Sequence, residues 1–354
     1  MHILHALTLG FLSCYTSTWS ISAASAQVNG PGPSPASSFD TVVNLPGNGL
    51  TFIARNQSIG GVPGQTNQFN ISGGNVSSNF TADFGSEVNI SSGADVSSTF
   101  TAIGSEVNIS GGEVGLFFNA NSGSVVNITG GEVGGGFDAN PGSVINISGG
   151  NVAAINGGGF NAFSGSIVNI SGGDVGNNFE ANSGSVVNVS GGNIGSPFRA
   201  NFGSQVNISG GIFGANFEAF DGSEVNISGG VFGDNFDVSS GASVNISGSL
   251  FLIDGVELNE LLPSQAFTIT DRDVTLSGLL ADGQSFSFDL NSIDATFTET
   301  EFFGGIPVES VFDVGDDFFD RGATLTVTLT VPEPSSTGFI AALFALGFAR
   351  RHRR

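Results

Sequence analysis

The chain has no lysine, and only one cysteine, one methionine, one tryptophan and one tyrosine. Met1, Cys14, Tyr15 and Trp19 all fall in the first 26 residues, together with His2 and His5; the third histidine, His352, lies near the other end. Residues 1–26 read as a secretory signal, with an apolar stretch over 3–12 and Ala24-Ser25-Ala26 as an A-x-A cleavage site, although no lysine or arginine precedes the apolar stretch. With both ends processed away, the body keeps no cysteine, histidine or lysine. Ser-His-Asp, Cys-His and Ser-Lys nucleophile systems then cannot be assembled. Zinc sites built on His or Cys are excluded, and no disulfide can hold the fold in an oxidising compartment.

Basic charge is equally scarce. Between residues 27 and 331 only Arg55, Arg199, Arg272 and Arg321 stand against 30 acidic residues, a net charge of −26. Such a surface repels phosphate, so nucleic acid is not an expected partner.

Glycine and phenylalanine, by contrast, are plentiful, at 55 and 33 residues, and they recur in a pattern. The pattern reads V-N-I-S-G-G-x-V-G-x-x-F-x-A-x-x-G-S-x. Its asparagine falls at Asn70, Asn89, Asn108, Asn127, Asn146, Asn169, Asn188, Asn207, Asn226 and Asn245, in eight steps of 19 residues and one of 23. A fixed period in this range marks a repeat architecture whose units bury an apolar face only against their neighbours. Within residues 105–123, Val107 and Ile109 alternate with Glu106, Asn108 and Ser110, which predicts a strand with the aliphatics inward. Gly111-Gly112 permits a bend, Val114 begins a second short strand, and Phe118 and Ala120 flank Asn119 in a third. Glycine and β-branched residues every few positions disfavour helix.

The predicted fold is therefore all-β, a parallel β-helix or β-solenoid of 19-residue coils with a small C-terminal β-rich segment. Rungs ~4.8 Å apart give a nine-unit rod of roughly 43 Å. Its most regular inward column is Phe80, Phe100, Phe118, Phe137, Phe160, Phe179, Phe198, Phe217 and Phe236. One unit buries about four large apolar side chains at ~1.5–3 kcal/mol each. Ordering its residues costs ~1 kcal/mol or more apiece, so no unit folds alone. The four extra residues within 153–158 should bulge at one bend and leave the columns in register. The expected organisation is a signal at 1–26, linker and N-terminal cap at 27–69, solenoid at 70–249, β-rich segment at 250–331 and a tail at 332–354. Whether 250–331 continues the solenoid or forms a separate capping sandwich is open at the level of sequence.

Several constellations bear on chemistry. Arg199 should fall between Glu180 and Glu218 on adjacent rungs, which reads as a charge ladder rather than a catalytic base. Glu87 over Glu106, Glu113 over Glu132, and Glu218 over Asp237 form outward acidic stacks. These keep a rod soluble. Ca²⁺ bridging is a weaker reading, because the Gly-Gly-x-Gly-x-Asp calcium repeat is absent; no cofactor is expected. Carboxylate-pair glycoside hydrolysis stays formally open, with the 153–158 irregularity as its only special rung. The outward asparagines form a ladder of amides able to bond a polysaccharide, another rod or one another.

The last residues run Val331-Pro332-Glu333-Pro334, then an uncharged run over 337–349, then Arg350-Arg351-His352-Arg353-Arg354. The 13-residue run is short for spanning a bilayer core, which takes ~20 helical residues, and the basic cluster would stay cytoplasmic. This tail resembles the PEP-CTERM sorting signal of bacterial exosortase substrates, a family also called the "ice-binding protein C-terminal domain". The resemblance rests on Val331, Pro332, Glu333, Pro334, Arg350, Arg351, Arg353 and Arg354, and covers only the tail. It implies a bacterial exported protein, transient membrane insertion through the tail, processing by an exosortase-like enzyme near Pro332-Glu333-Pro334, and release to the cell surface or extracellular matrix. In that setting the ten Asn-x-Ser/Thr triplets follow from strand patterning rather than glycosylation. Ice binding is not expected either, since a threonine face occurs only once, over residues 324–330. The expected function is a non-catalytic structural or adhesive surface protein. The alternatives are a polysaccharide-binding rod meeting exopolysaccharide, a carbohydrate-active β-helix enzyme, and an amyloid-like matrix fibre.

Overall fold

A computed structural model describes residues 67–153, 158–293 and 316–330 in full, together with the backbone of strands at 41–45, 52–53, 58–59, 296–303 and 306–313. Every regular element among the described residues is a β-strand. Two parallel sheets run the length of a solenoid. In the first, the strands carrying the repeated asparagine pair rung upon rung with each asparagine opposite the next, as in Glu106–Val114 against Val125–Val133. In the second, the Phe-x-Ala strands pair in the same way, Phe160–Ala162 against Phe179–Ala181. The inserted residues do not disturb this order: Asn146 still faces Asn169, Phe137 faces Phe160 and Val152 faces Val175. Residues 154–157 lie outside the described set.

One coil precedes the first repeat. Thr41–Leu45 pairs with Asn67–Ile71, Phe52–Ile53 with Asn75–Val76, and Ser58–Ile59 with Thr81–Ala82, all parallel.

The Gly-Gly bend differs from expectation. From residue 106 onward the first two expected strands are one nine-residue strand, and the diglycine is a bulge within it: Ser110 faces Gly130 and Glu113 faces Glu132. Both glycines are required, for different reasons. A Cβ on Gly149 would stand 2.5 Å from the Thr129 carbonyl oxygen of the rung before, and Gly150 has φ +81°, where L residues are strained. In the two preceding rungs the strands are separate, Asn67–Ile71 from Gly74–Val76 and Ser86–Ile90 from Ala94–Val96; in the latter the bend holds an extra residue and the Ala94 N–H closes a turn on the Ser91 carbonyl at 3.1 Å.

The other two bends are equally specified. At residues 140–143 the Ser143 N–H and Oγ donate to the Asn140 carbonyl at 3.1 and 2.7 Å, with Gly142 at φ +78° as a tight turn's third residue requires. Except ahead of Phe160 and Phe198, the residue before the core phenylalanine of each short strand from Phe80 to Phe236 is left-handed. Asn79, Asn178, Asn216 and Asn235 adopt this conformation, and so do Thr99 (φ +68°) and Phe117 (φ +63°), which tolerate it poorly.

Inside, the phenylalanine column is continuous. From Phe100 to Phe236 successive rings stack at 4.6–5.0 Å between centroids with planes 0–12° apart. These centroid separations lie within the range favoured by aromatic pairs. Val107 and Ile109, with their counterparts on each rung, form the opposing wall and are fully buried.

The C-terminal segment both continues and caps the rod. Thr324–Leu329 adds in parallel to Ser243–Ile253, and Phe318–Phe319 adds in parallel to the short strand at 236–238, so chain from far along the sequence supplies the last rung. Between them, Thr275–Leu280 and Ser285–Asp289 form an antiparallel hairpin on the edge of Ser243–Ile253, and Ala266–Ile269 pairs antiparallel with Thr324–Leu329. Phe213 and Phe232 replace the smaller aliphatics of earlier rungs and meet the phenylalanine column edge-on, while Phe288 and Phe319 close it at 4.8 and 5.8 Å from Phe236. Arg272 ties this cap together: its guanidinium donates to the Ile269, Asp271, Phe319, Asp320 and Ala323 carbonyls at 2.9–3.4 Å. Burial lowers its pKa.

Two substitutions test this account by denaturant unfolding. Phe160→Ala should cost ~3–5 kcal/mol, because the gap sits between two rings that cannot close over it. Thr99→Asn should stabilise by ~1 kcal/mol, since asparagine relieves the left-handed strain on a β-branched residue.

Candidate functional site

The outer face of the long-strand sheet carries three side-chain columns, because residues two apart in a strand share a face. The central one is the asparagine ladder. Each Nδ2 donates to the Oδ1 of the asparagine one rung earlier, in nine consecutive bonds of 2.8–3.0 Å from Asn89 on Asn70 to Asn245 on Asn226. The bonds all run in one direction. At the far end Thr326 Oγ1 donates to Asn245 Oδ1, so the recruited last rung ends the ladder. At the near end Asn70 donates to Gln68 Oε1 at 3.2 Å. Of the partners open to these amides, the ladder uses one another.

The second column, two residues before each asparagine, changes character along the rod. It reads Gln68, Glu87, Glu106, Val125, Val144, Ile167, Val186, Gln205, Glu224 and Ser243 in register. Where it is acidic, the carboxylate takes a second amide proton: Glu87 from Asn89 at 2.7 Å, Glu106 from Asn127 at 3.4 Å and Glu224 from Asn226 at 3.1 Å. The third column is serine or threonine, two residues after the asparagine. Its hydroxyls make long bonds, 3.2–3.5 Å, to the strand carbonyls of the previous rung, as in Ser190 to Ile170 and Ser209 to Val189.

Between the asparagine and serine columns runs a trough of about 280 Å³, lined by Asn188, Asn207, Asn226 and Asn245 on one side and Ser190, Ser209, Ser228 and Ser247 on the other. The capping hairpin stands beside this end. Its turn seats on the diglycine bulge, where the Asp282 N–H donates to the Ser228 carbonyl at 3.1 Å and Asp282 Oδ2 accepts from the Gly230 N–H at 2.9 Å. A Cβ on Gly229 would collide with that carboxylate at 2.5 Å.

The charged residues singled out in the sequence fall into the expected registers. Arg199 lies between Glu180 and Glu218, with Nε donating to Glu218 Oε2 at 2.7 Å and a longer 4.0 Å approach to Glu180. Glu87 faces Glu106, Glu113 faces Glu132, and Glu218 faces Asp237. Glu113 also faces Asp95, giving three acids in succession, but beyond Glu132 the column alternates with asparagine, and Asn193 donates to Asp174 at 2.6 Å. No group of three acids among the described residues is placed to hold a metal ion. The sorting residues Val331, Pro332, Glu333, Pro334, Arg350, Arg351, Arg353 and Arg354 lie outside the described residues, as does the signal at 1–26. No helix among the described residues is long and apolar enough to cross a membrane. Comparisons with family models, curated proteins and solved structures give no match.

The trough and the change along the second column were not foreseen from sequence, although the periodicity that places the asparagines outward places Ser190 and Val186 on the same face. Asp317 was also missed. Its carboxylate bridges rod and cap, accepting from the Phe236 N–H at 2.8 Å and the Asp289 N–H at 3.1 Å. Burial pushes its pKa above the usual aspartate range, with a smaller contribution from neighbouring Asp289 and Asp316, and outweighs those two bonds.

Asn169→Ala should cost ~1–3 kcal/mol, because it strands an acceptor on Asn146 and a donor on Asn188 at once. Asp317 predicts a pH effect of definite sign. A raised folded-state pKa means that its contribution is fully present below the ordinary aspartate range and is lost as pH rises through the higher folded value. Thermal unfolding across pH should show this share of the wild-type stability falling as pH rises above the ordinary aspartate range, and Asp317→Asn, which keeps one acceptor but turns its NH2 toward the other backbone N–H, should remove that share of the pH dependence.

Proposed function

We propose that the protein is a non-catalytic structural or adhesive rod, exported, retained briefly through its tail, sorted by an exosortase-type system and delivered to the cell surface or extracellular matrix. The observation that supports this reading is the uninterrupted asparagine ladder from Asn70 to Asn245. Together with the phenylalanine stack, it spreads cohesion evenly along the axis rather than concentrating chemistry at one rung. Such a body needs no disulfide and no metal to stay ordered outside the cell. Its single cation within the repeats, Arg199, is committed to Glu218, which favours the structural reading over a solenoid lyase or hydrolase. The address rests on the tail motif, Pro332-Glu333-Pro334 followed by the apolar run and the arginines.

The test is mass spectrometry of the C-terminal peptide from fractionated host cells. A chain ending between residues 332 and 334 in the outer-surface or medium fraction is the expected result. Intact Arg354 in the inner-membrane fraction would overturn the proposed sorting.

A further inference from the structure

We infer that the asparagine face between Val125 and Ser247 binds an extended, uncharged polysaccharide lying along the rod axis. Hydrogen-bond arithmetic is the first ground. A side-chain amide offers two N–H donors and two carbonyl lone pairs. Asn146, Asn169, Asn188 and Asn207 each spend one of each on the ladder, and the flanking side chains take neither of the others. At Asn89, Asn127 and Asn226, by contrast, a glutamate already occupies the second donor. The middle of the face therefore presents a row of donor and acceptor pairs, held rigid by their own ladder and repeating every ~4.8 Å. That step is close to the length of one pyranose residue in an extended chain.

The second ground is the strip beside the row. Val125, Val144, Ile167 and Val186 are in register on four successive rungs, and Ile167 is 40% exposed. Aliphatic side chains on the outer face of a strand gain nothing from the core. An aliphatic strip flush against amides matches a sugar ring, which offers a C–H face and an edge of hydroxyls. Further along, Gln205 continues the second column without charge and the trough between Asn188 and Ser247 takes over, spanning four rungs or ~14 Å.

Charge selects the class of glycan. Glu106 precedes the strip and Glu224 follows Gln205 beside the trough, on a body of net charge −26, so polyanionic chains are repelled. The same repulsion disfavours a second rod as the occupant. This binding site does not rest on the sorting tail, and its test is indifferent to whether the tail is processed.

Titration calorimetry of the full chain with neutral β-linked gluco-, manno- and xylo-hexasaccharides should detect binding to at least one. A galacturonate hexasaccharide should not bind. Val144→Gln/Ile167→Gln/Val186→Gln removes the strip and Ser190→Glu/Ser209→Glu blocks the trough; neither touches the ladder, and an unchanged melting temperature verifies the fold. Each should weaken binding by roughly tenfold or more, equivalent to ~1.4 kcal/mol. Asp138→Asn/Glu180→Gln, on the outer face of the short-strand sheet, should leave affinity unchanged. The inference is overturned if no neutral hexasaccharide titrates, if both variants bind like wild type, or if galacturonate binds as well. It is also overturned if sedimentation shows that the strip variant merely dissociates a self-associated rod, which would make the face a contact between copies.

Discussion

Parallel pairing in strict register is the constraint on which everything else in this protein depends. Each rung hydrogen-bonds through its backbone to the rungs on either side, and that bonding sets one axial step for every side chain. Once the step is common to all columns, like meets like: phenylalanine on phenylalanine, asparagine on asparagine, acid on acid. The consequence is favourable inside, where Phe118 and Phe137 stack at 4.8 Å, and on the amide face, where Asn127 donates to Asn108 at 2.8 Å. It is unfavourable where Glu113 is held between Asp95 and Glu132. The sequence answers by diluting that column with Asn151 and Asn193 and by placing Arg199 between Glu180 and Glu218.

Register also explains why glycine is so abundant. The diglycine bulge brings each rung against the carbonyls of the one before, too closely for a Cβ, as at Gly149 and Thr129. The same vacancy becomes useful once more at the end of the rod, where Gly229 leaves room for the Asp282 carboxylate and thereby seats the capping hairpin. A solenoid end exposes unpaired strand edges and an open column of rings, and such edges invite association. Here the cap meets both needs, with strand Thr324–Leu329 completing the sheet and Phe288 and Phe319 covering Phe236. Asp317 and Arg272 join the cap's separate pieces through backbone groups, so these contacts depend on fold geometry more than on the identity of neighbouring side chains.

The amide face shows how a structural device becomes a surface with chemical character. Self-pairing orders the asparagines and leaves half of their capacity outward. What differs along the rod is the neighbouring column, acidic near Glu87 and Glu106, aliphatic from Val125 to Val186, polar from Gln205 onward. A uniform ladder beside a varying strip lets one face be closed by glutamates at its ends and open in its middle.

How much of this was legible in the sequence follows from range. The 19-residue period, the alternation around Val107 and Ile109 and the recurrence of Phe118 and its counterparts are local signals repeated many times. They determined the fold class, the inward columns, the outward asparagines and the register of Arg199 with its glutamates. The leader at 1–26 and the tail motif are likewise purely local signals, and the reading of export rests on them alone. The tertiary structure decided what lies outside the repeat. That residues 318–329 return to supply the last rung, with Thr326 ending the asparagine ladder, could not be read from strand patterns, because the partner is about eighty residues away and no period links them. The diglycine also proved to be a bulge within one strand rather than a break between two, since the deciding contact is with the neighbouring rung's backbone. The direction of the amide bonds, and the donors they leave unspent, came only with the atoms in place.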